Sequence, residues 1–162
     1  SYHGIVCLMQ ISTRSADYLI DTIKLRRELG PALRPLLADP RHLKVFHGAE
    51  SDILWLQRDF GLWVVGMFDT YFACRALGLA RHSLAYLLEH YLGLTIDKQY
   101  QMADWRQRPL PAPMLLYARQ DTHYLPHLFD LLQRELIKAG HLAAVLRSSA
   151  SRCGLLYRPA DV

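Results

Sequence analysis

The stretch GIVCLMQI, from Gly4 to Ile11, is a nearly unbroken apolar run that holds β-branched residues, the pattern of a strand buried on both faces. The polar turn Ser12 to Ala16 separates it from DYLID, Asp17 to Asp21, and this spacing predicts a hairpin. Leu25, Leu29, Leu33, Leu36 and Leu37 recur near helical spacing but are interrupted by Gly30-Pro31, which predicts a short helix and a second one starting at the proline, closed by Asp39-Pro40. LKVF, Leu43 to Phe46, predicts a third strand, and Gly48 turns the chain into a helix from Ala49 to Phe60 with Ile53, Leu56 and Phe60 as its apolar stripe and Gly61 at its end.

A fourth strand is predicted near Val64 to Phe68, leading through Asp69-Thr70 into a helix that ends at Gly78; His82-Ser83-Leu84 opens another that runs to Tyr91. From Gly93 to Pro113 the chain has three prolines and no clean period, and a loop this long in a compact domain is usually functional. Met114 to Lys138 predicts one strong helix, with Gly140 near its end. Residues 141–162 are Ser- and Arg-rich, carry Tyr157-Arg158-Pro159 near the terminus, and read as a linker. A hairpin followed by strand, helix, strand and helices predicts one α/β domain over residues 1–140, a mixed sheet flanked by helices. Its core strand begins at residue 4 with almost no lead-in, so the sheet is expected to lack a first strand.

Composition narrows this picture only a little. The chain has 162 residues, 51% hydrophobic and 21% charged, enough for a core without covalent staples, and this excludes disordered and collagen-like classes. No apolar run approaches the roughly 18 residues of a membrane span, and the opening lacks the pattern of a signal peptide, so a soluble protein is expected. Cys7, Cys74 and Cys153 are far apart and form no C-x-x-C pair, which supports neither a disulfide framework nor a zinc site and makes a reducing compartment the default. The net charge of +4 permits a polyanionic partner without demanding one.

Candidate chemistry begins with Tyr117 and Asp121 in YARQD, four apart on the predicted last helix and so on one face of it. A phenol beside a carboxylate can orient or deprotonate a water polarised by a metal ion that the carboxylate holds, although a tyrosine packed over a solvated aspartate has the same spacing. Asp52, in HGAESDILWLQ, falls in the first turn of a helix that follows a strand, at the sheet edge where α/β sites gather; the helix dipole alone also justifies an acid there. Trp55 shares its face and offers a ring for a base, or else a core anchor. Lys98, Arg106 and Arg108 interleave with Tyr100 and Trp105 in the long loop, as cations and aromatics do in nucleic-acid sites and also in ordinary solvated loops. His47, His82 and His123 lack the spacing of a metal-binding helix, and Asp69-Thr70 reads as a helix start.

HGAESDILWLQRDFGL, MFDT, RHSLAYLLEHYLGL, KQYQMADWRQRPL and YARQDTHYL occur in this order, and together they resemble the blocks of the DEDDy 3′–5′ exonucleases of the RNase D group. KQYQMADWRQRPL and GIVCLMQISTR are more similar to the eukaryotic, nuclear-exosome-associated branch than to bacterial RNase D. The resemblance covers essentially the whole chain; its tail is similar to the segment leading to a helicase-and-RNase-D C-terminal domain. It implies an RNase H-like fold and two divalent cations, Mg²⁺ or Mn²⁺, held by four acidic residues. It implies that Asp52 and Asp121 are metal ligands, that Tyr117 positions the attacking water, and that Trp55 and Lys98 contact the terminal nucleotide. The implied reaction releases nucleoside 5′-monophosphates from single-stranded RNA 3′ ends, with the exosome core as partner and the nucleus, including the nucleolus, as location.

One departure qualifies these expectations. The family's first motif, Asp-x-Glu, occurs nowhere in the chain; Glu50-Ser51-Asp52 is the reverse order and belongs to the second motif. Half of the metal carboxylates are thus absent, and the chain as given is expected to be inactive. The competing readings are a pseudo-nuclease that binds RNA or the exosome without catalysis, and a bacterial-type RNase D.

Overall fold

The computed structural model of the protein describes residues 5–158. Two expectations extend past that range: the start of the first strand at Gly4 and the end of the tail from Pro159 onward lie outside the described residues. β1 (Leu8–Ser12) and β2 (Asp17–Asp21) form the predicted antiparallel hairpin, Leu8 opposite Asp21 and Ser12 opposite Asp17. Thr13 closes its turn, its N–H donating to the Ala16 carbonyl at 2.8 Å and its hydroxyl accepting from the Ala16 N–H at 3.1 Å. β1 is half-buried along its length rather than covered on both faces, because β2 is its only hydrogen-bonded neighbour among the described residues.

The two short helices predicted between Lys24 and Ala38 are one, α1 (Leu29–Leu37), preceded by turns. Pro31 lies in its first turn, where no N–H is needed, so it does not mark the helix start. β3 (Lys44–Phe46) and β4 (Met67–Asp69) pair in parallel as a second two-stranded sheet, with α2 (Glu50–Phe60) crossing between them. β4 begins later than the predicted Val64, since the Val65 N–H is given to the Leu37 carbonyl at 2.9 Å. A Cβ on Gly30 would stand 2.7 Å from the Phe60 carbonyl oxygen, so the start of α1 can lie against the end of α2 only with glycine there.

α3 (Thr70–Ala76) and α4 (Leu84–Leu92) follow as predicted, the latter capped by the Ser83 hydroxyl, which accepts from the Tyr86 N–H at 3.1 Å. Residues 93–111 hold no helix or strand. The single helix expected from Met114 to Lys138 is two, α5 (Ala112–Arg119) and α6 (Leu125–Ala139). Pro126 has no N–H for the Thr122 carbonyl and its ring excludes that carbonyl, so an uninterrupted helix cannot pass. The segment expected to be a linker is corrected as well: Leu142–Cys153 form α7, which packs against β4 and α3 and buries Val145 and Ser149. Beyond it the Gln57 amide holds the chain at both ends, donating to the Leu155 carbonyl at 2.7 Å and accepting from the Tyr157 N–H at 2.8 Å.

Two apolar clusters fill the interior. One gathers Leu128, Leu132 and Leu136 of α6 with Phe68, Leu87, Leu88 and Val145, each leucine contributing on the order of 2 kcal/mol by leaving water. The other joins Leu29 and Leu37 of α1 to Ile53, Leu56 and Phe60 of α2, with Met9 and Ile20 of the hairpin against it. Asp69, fully buried, ties the parallel sheet to the helices around it. Its carboxylate accepts from Gly48 N–H at 2.8 Å and Ala49 N–H at 2.9 Å, which start α2, and from Tyr71 N–H at 2.9 Å, which caps α3. Its own N–H donates to the Ser149 hydroxyl of α7 at 2.9 Å. Gly48 reaches this carboxylate at φ 63°, a conformation that favours glycine.

Replacing Asp69 by alanine orphans three backbone donors at once. Each such loss costs about 1–3 kcal/mol, so Asp69→Ala is expected to destabilise the domain by at least about 3 kcal/mol in urea unfolding; a loss below about 1 kcal/mol would contradict this role.

Candidate active site

Asp52 is the third residue of α2, one turn beyond the Gly48–Ala49 segment that Asp69 holds. The helix N-terminus favours its charge, but burial opposes it more strongly, and the nearby charges of Asp69 and Asp121 add to the effect. The carboxyl is pushed up to about 6. Trp55 stands half-buried one turn farther along the same helix.

The sequence predicts one helix through Tyr117 and Asp121; instead Asp121 follows the end of α5, in the turn before α6. Its N–H donates to the Ala118 carbonyl at 3.3 Å, which keeps it about one turn from Tyr117. The hairpin fixes this turn from outside. Asp17 of β2 accepts from Ser12 Oγ at 2.6 Å, from Arg119 Nε at 2.6 Å and meets His123 Nδ1 at 2.8 Å, while the Ser12 and Thr122 hydroxyls are 2.7 Å apart. The Ser12 and Arg119 hydrogen bonds hold the Asp17 carboxyl down at about 2. Asp121 itself is exposed, yet desolvation by the surrounding protein raises its pKa.

The long loop supplies the next layer. Tyr117 carries the ring of Tyr100 edge-on at 5.8 Å and 73°, and that of Trp105 at 5.8 Å and 31°. Burial, with the charges of Asp121 and Asp97, raises the phenol's pKa. Lys98 is exposed two residues before Tyr100, so the loop that packs on Tyr117 also presents this cation. His47 is structural: its Nδ1 lies 2.8 Å from the Thr70 hydroxyl, which donates to the Phe46 carbonyl at 3.0 Å, and burial lowers its pKa. His123 serves Asp17, and Asp69 starts a helix as expected.

Sequence reading missed Asp17, Asp21 and Asp97 because their partners are distant in the chain or show only through electrostatics. The fork of Arg108 on Asp21, Nε to Oδ2 at 2.8 Å, spans 87 positions and has no local signature.

Among the described residues no group of three or more His, Cys, Asp or Glu side chains stands where it could hold a metal ion. Asp52 and Asp121 have the hard carboxylate oxygens that Mg²⁺ or Mn²⁺ prefer. Both carboxyls are raised, Asp52 by burial first and then by the charges of Asp69 and Asp121, Asp121 by desolvation, and a nearby cation would favour the ionised form of each. Gln120, next in sequence to Asp121, has a buried Oε1 with no hydrogen-bond partner among the described residues.

A family model described as 3′-5′ exonuclease matches residues 1–137. The chain belongs to this family. The exonuclease domain is 58% identical over 149 residues to the exosome complex exonuclease RRP6 of Saccharomyces cerevisiae, a match covering 92% of the chain and 20% of that protein. The crystal structure of the catalytic core of RRP6 from Trypanosoma brucei is similar at a TM-score of 0.90 and 43% identity, covering 93% of this chain and 42% of that one. The RNase H-like fold and the exosome-associated side of the RNase D group, both implied by the sequence blocks, are borne out. Brucella melitensis NrnC with bound Mg²⁺ is similar at a TM-score of 0.79 and 26% identity, covering 91% of this chain and 74% of that one, which supports use of a divalent metal in the family. The chain spans 20% and 16% of the length of the first two curated relatives it matches.

The raised Asp52 carboxyl makes stability pH-dependent with a definite sign. Between its ordinary 3.8 and about 6 the folded domain holds a proton that the unfolded chain has released, so stability falls as pH rises through that window. Asp52→Asn is expected to remove this slope and to leave the domain more stable than wild type at pH 7 without divalent ions, while Mg²⁺ stabilises wild type more than the variant. Thermal melts from pH 4 to 7 check this; a wild-type-minus-variant difference that is flat with pH would overturn it.

Proposed function

We propose that the protein hydrolyses the last phosphodiester of a single-stranded RNA 3′ end and releases nucleoside 5′-monophosphates, in nuclear RNA processing and decay. The observation that carries this reading is the convergence of Asp52 from α2, Asp121 from the α5–α6 turn and the ring-packed Tyr117 in an exonuclease domain. The names of the relatives, exosome complex exonuclease and exosome complex component, support an exosome core as partner and a nuclear location.

Asp52 and Asp121 would hold the divalent cations, which when bound supply positive charge against the phosphate oxygens. Tyr117, four positions before Asp121, orients the attacking water through its hydroxyl. Trp55 stacks on the terminal base, and Lys98 attracts the strand's phosphates. The 162 residues contain no Asp-x-Glu, so the chain by itself supplies two of the four carboxylates and is inactive in this reading.

With 5′-labelled RNA and Mg²⁺, the full-length protein is expected to shorten the strand from its 3′ end and to release mononucleotides, and the 162-residue chain alone is not. In the full-length protein Asp121→Asn abolishes turnover while RNA binding persists, and Tyr117→Phe slows it by about 10²-fold or more. Wild-type turnover by either variant, or robust activity from the short chain, contradicts the assignment.

Lys98→Ala is expected to weaken RNA binding and to lower the slope of log K against log salt by about 0.7, one phosphate contact on a single strand. An unchanged slope in salt titrations would make Lys98 an ordinary solvated loop cation.

A further inference from the structure

We propose that Arg108 is a positioning residue, latching the 93–111 loop onto the β1–β2 hairpin so that Trp105 is held against Tyr117; this rests on the reading of Tyr117 given above. A guanidinium has five N–H donors in a rigid fork, and here each has an acceptor. Nε donates to Asp21 Oδ2 at 2.8 Å, and one terminal nitrogen reaches Asp21 Oδ1 at 3.2 Å and the Cys7 carbonyl at 2.7 Å. The other terminal nitrogen donates to the Trp105 carbonyl at 2.7 Å and the Gln107 carbonyl at 2.9 Å. One side chain thus joins the strand end of β2, the segment before β1 and the backbone of the loop.

Both ends of this latch are anchored. Asp21 Oδ1 also accepts from the Ile23 and Lys24 N–H groups at 3.1 and 3.0 Å, which fixes the carboxylate that receives the fork. At the other end, the residue whose carbonyl Arg108 holds, Trp105, lays its ring against Tyr117 at 5.8 Å. Exposed ion pairs generally do little because two long side chains must be ordered for one contact. Arg108 differs because three of its five bonds go to backbone carbonyls, so ordering it orders the main chain. The loop contains no helix or strand that would otherwise set the direction of Trp105.

The test uses the full-length enzyme and Arg108→Lys, which keeps the charge and loses the fork. Expected are faster amide hydrogen exchange in peptides covering 98–107 and a kcat lower by about 10-fold or more with KM changed by less than about 2-fold. Placed on Tyr117→Phe, the same substitution is expected to change kcat by less than about 2-fold, because both act on one hydroxyl. Losses that multiply in the double variant, or a change in KM with kcat intact, overturn the proposal. Wild-type turnover by Tyr117→Phe instead overturns the reading of Tyr117; faster loop exchange in Arg108→Lys then still supports the latch, and unchanged exchange removes it. Asp21→Asn opens the fork from the hairpin side, is expected to give the same changes, and carries the test if Arg108→Lys fails to fold.

Discussion

A single buried carboxylate, Asp69, sets the geometry on which the site depends. Three backbone N–H groups converge on it from two chain segments, and a serine from a third takes its own N–H. A buried carboxyl group is tolerated only where hydrogen bonds replace its hydration, and here those bonds come from helix starts, which need acceptors of their own. The needs of the carboxylate and of α2 and α3 are met by the same contacts. The position of Asp52, one turn farther along α2, follows from that lock.

Asp17 plays the matching part on the other side. It is held ionised by Ser12, Arg119 and His123, and in doing so it ties the hairpin to the turn that bears Asp121. The domain therefore uses two kinds of carboxylate. Those that build the frame are met by several donors, whereas Asp52 and Asp121 are shifted upward, chiefly by desolvation.

The parts of the fold that were legible in the sequence are those made by neighbours. The hairpin could be read because its two strands are five residues each across a short turn, and α4 because Ser83 caps it locally. The break between α5 and α6 also had a local signal, Pro126, which the strong apolar period around it obscured. α7 had none. Its Ser- and Arg-rich composition resembles a linker because one of its two buried residues is Ser149, whose polarity makes sense only when the Asp69 N–H, 80 positions away, is brought to it.

By itself the sequence determined the family, through blocks in order, and it nominated Asp52, Tyr117 and Asp121 as candidates, because a phosphate or a metal calls for side chains of particular chemical types whatever surrounds them. Tertiary structure decided the rest: which acids are paired and which are left raised, that the hairpin carries the Asp121 turn, and that the long loop packs two rings on Tyr117. Those outcomes depend on donors and acceptors that lie many positions apart, up to 110 between Ser12 and Thr122, and a contact across such a separation leaves no period or spacing along the chain.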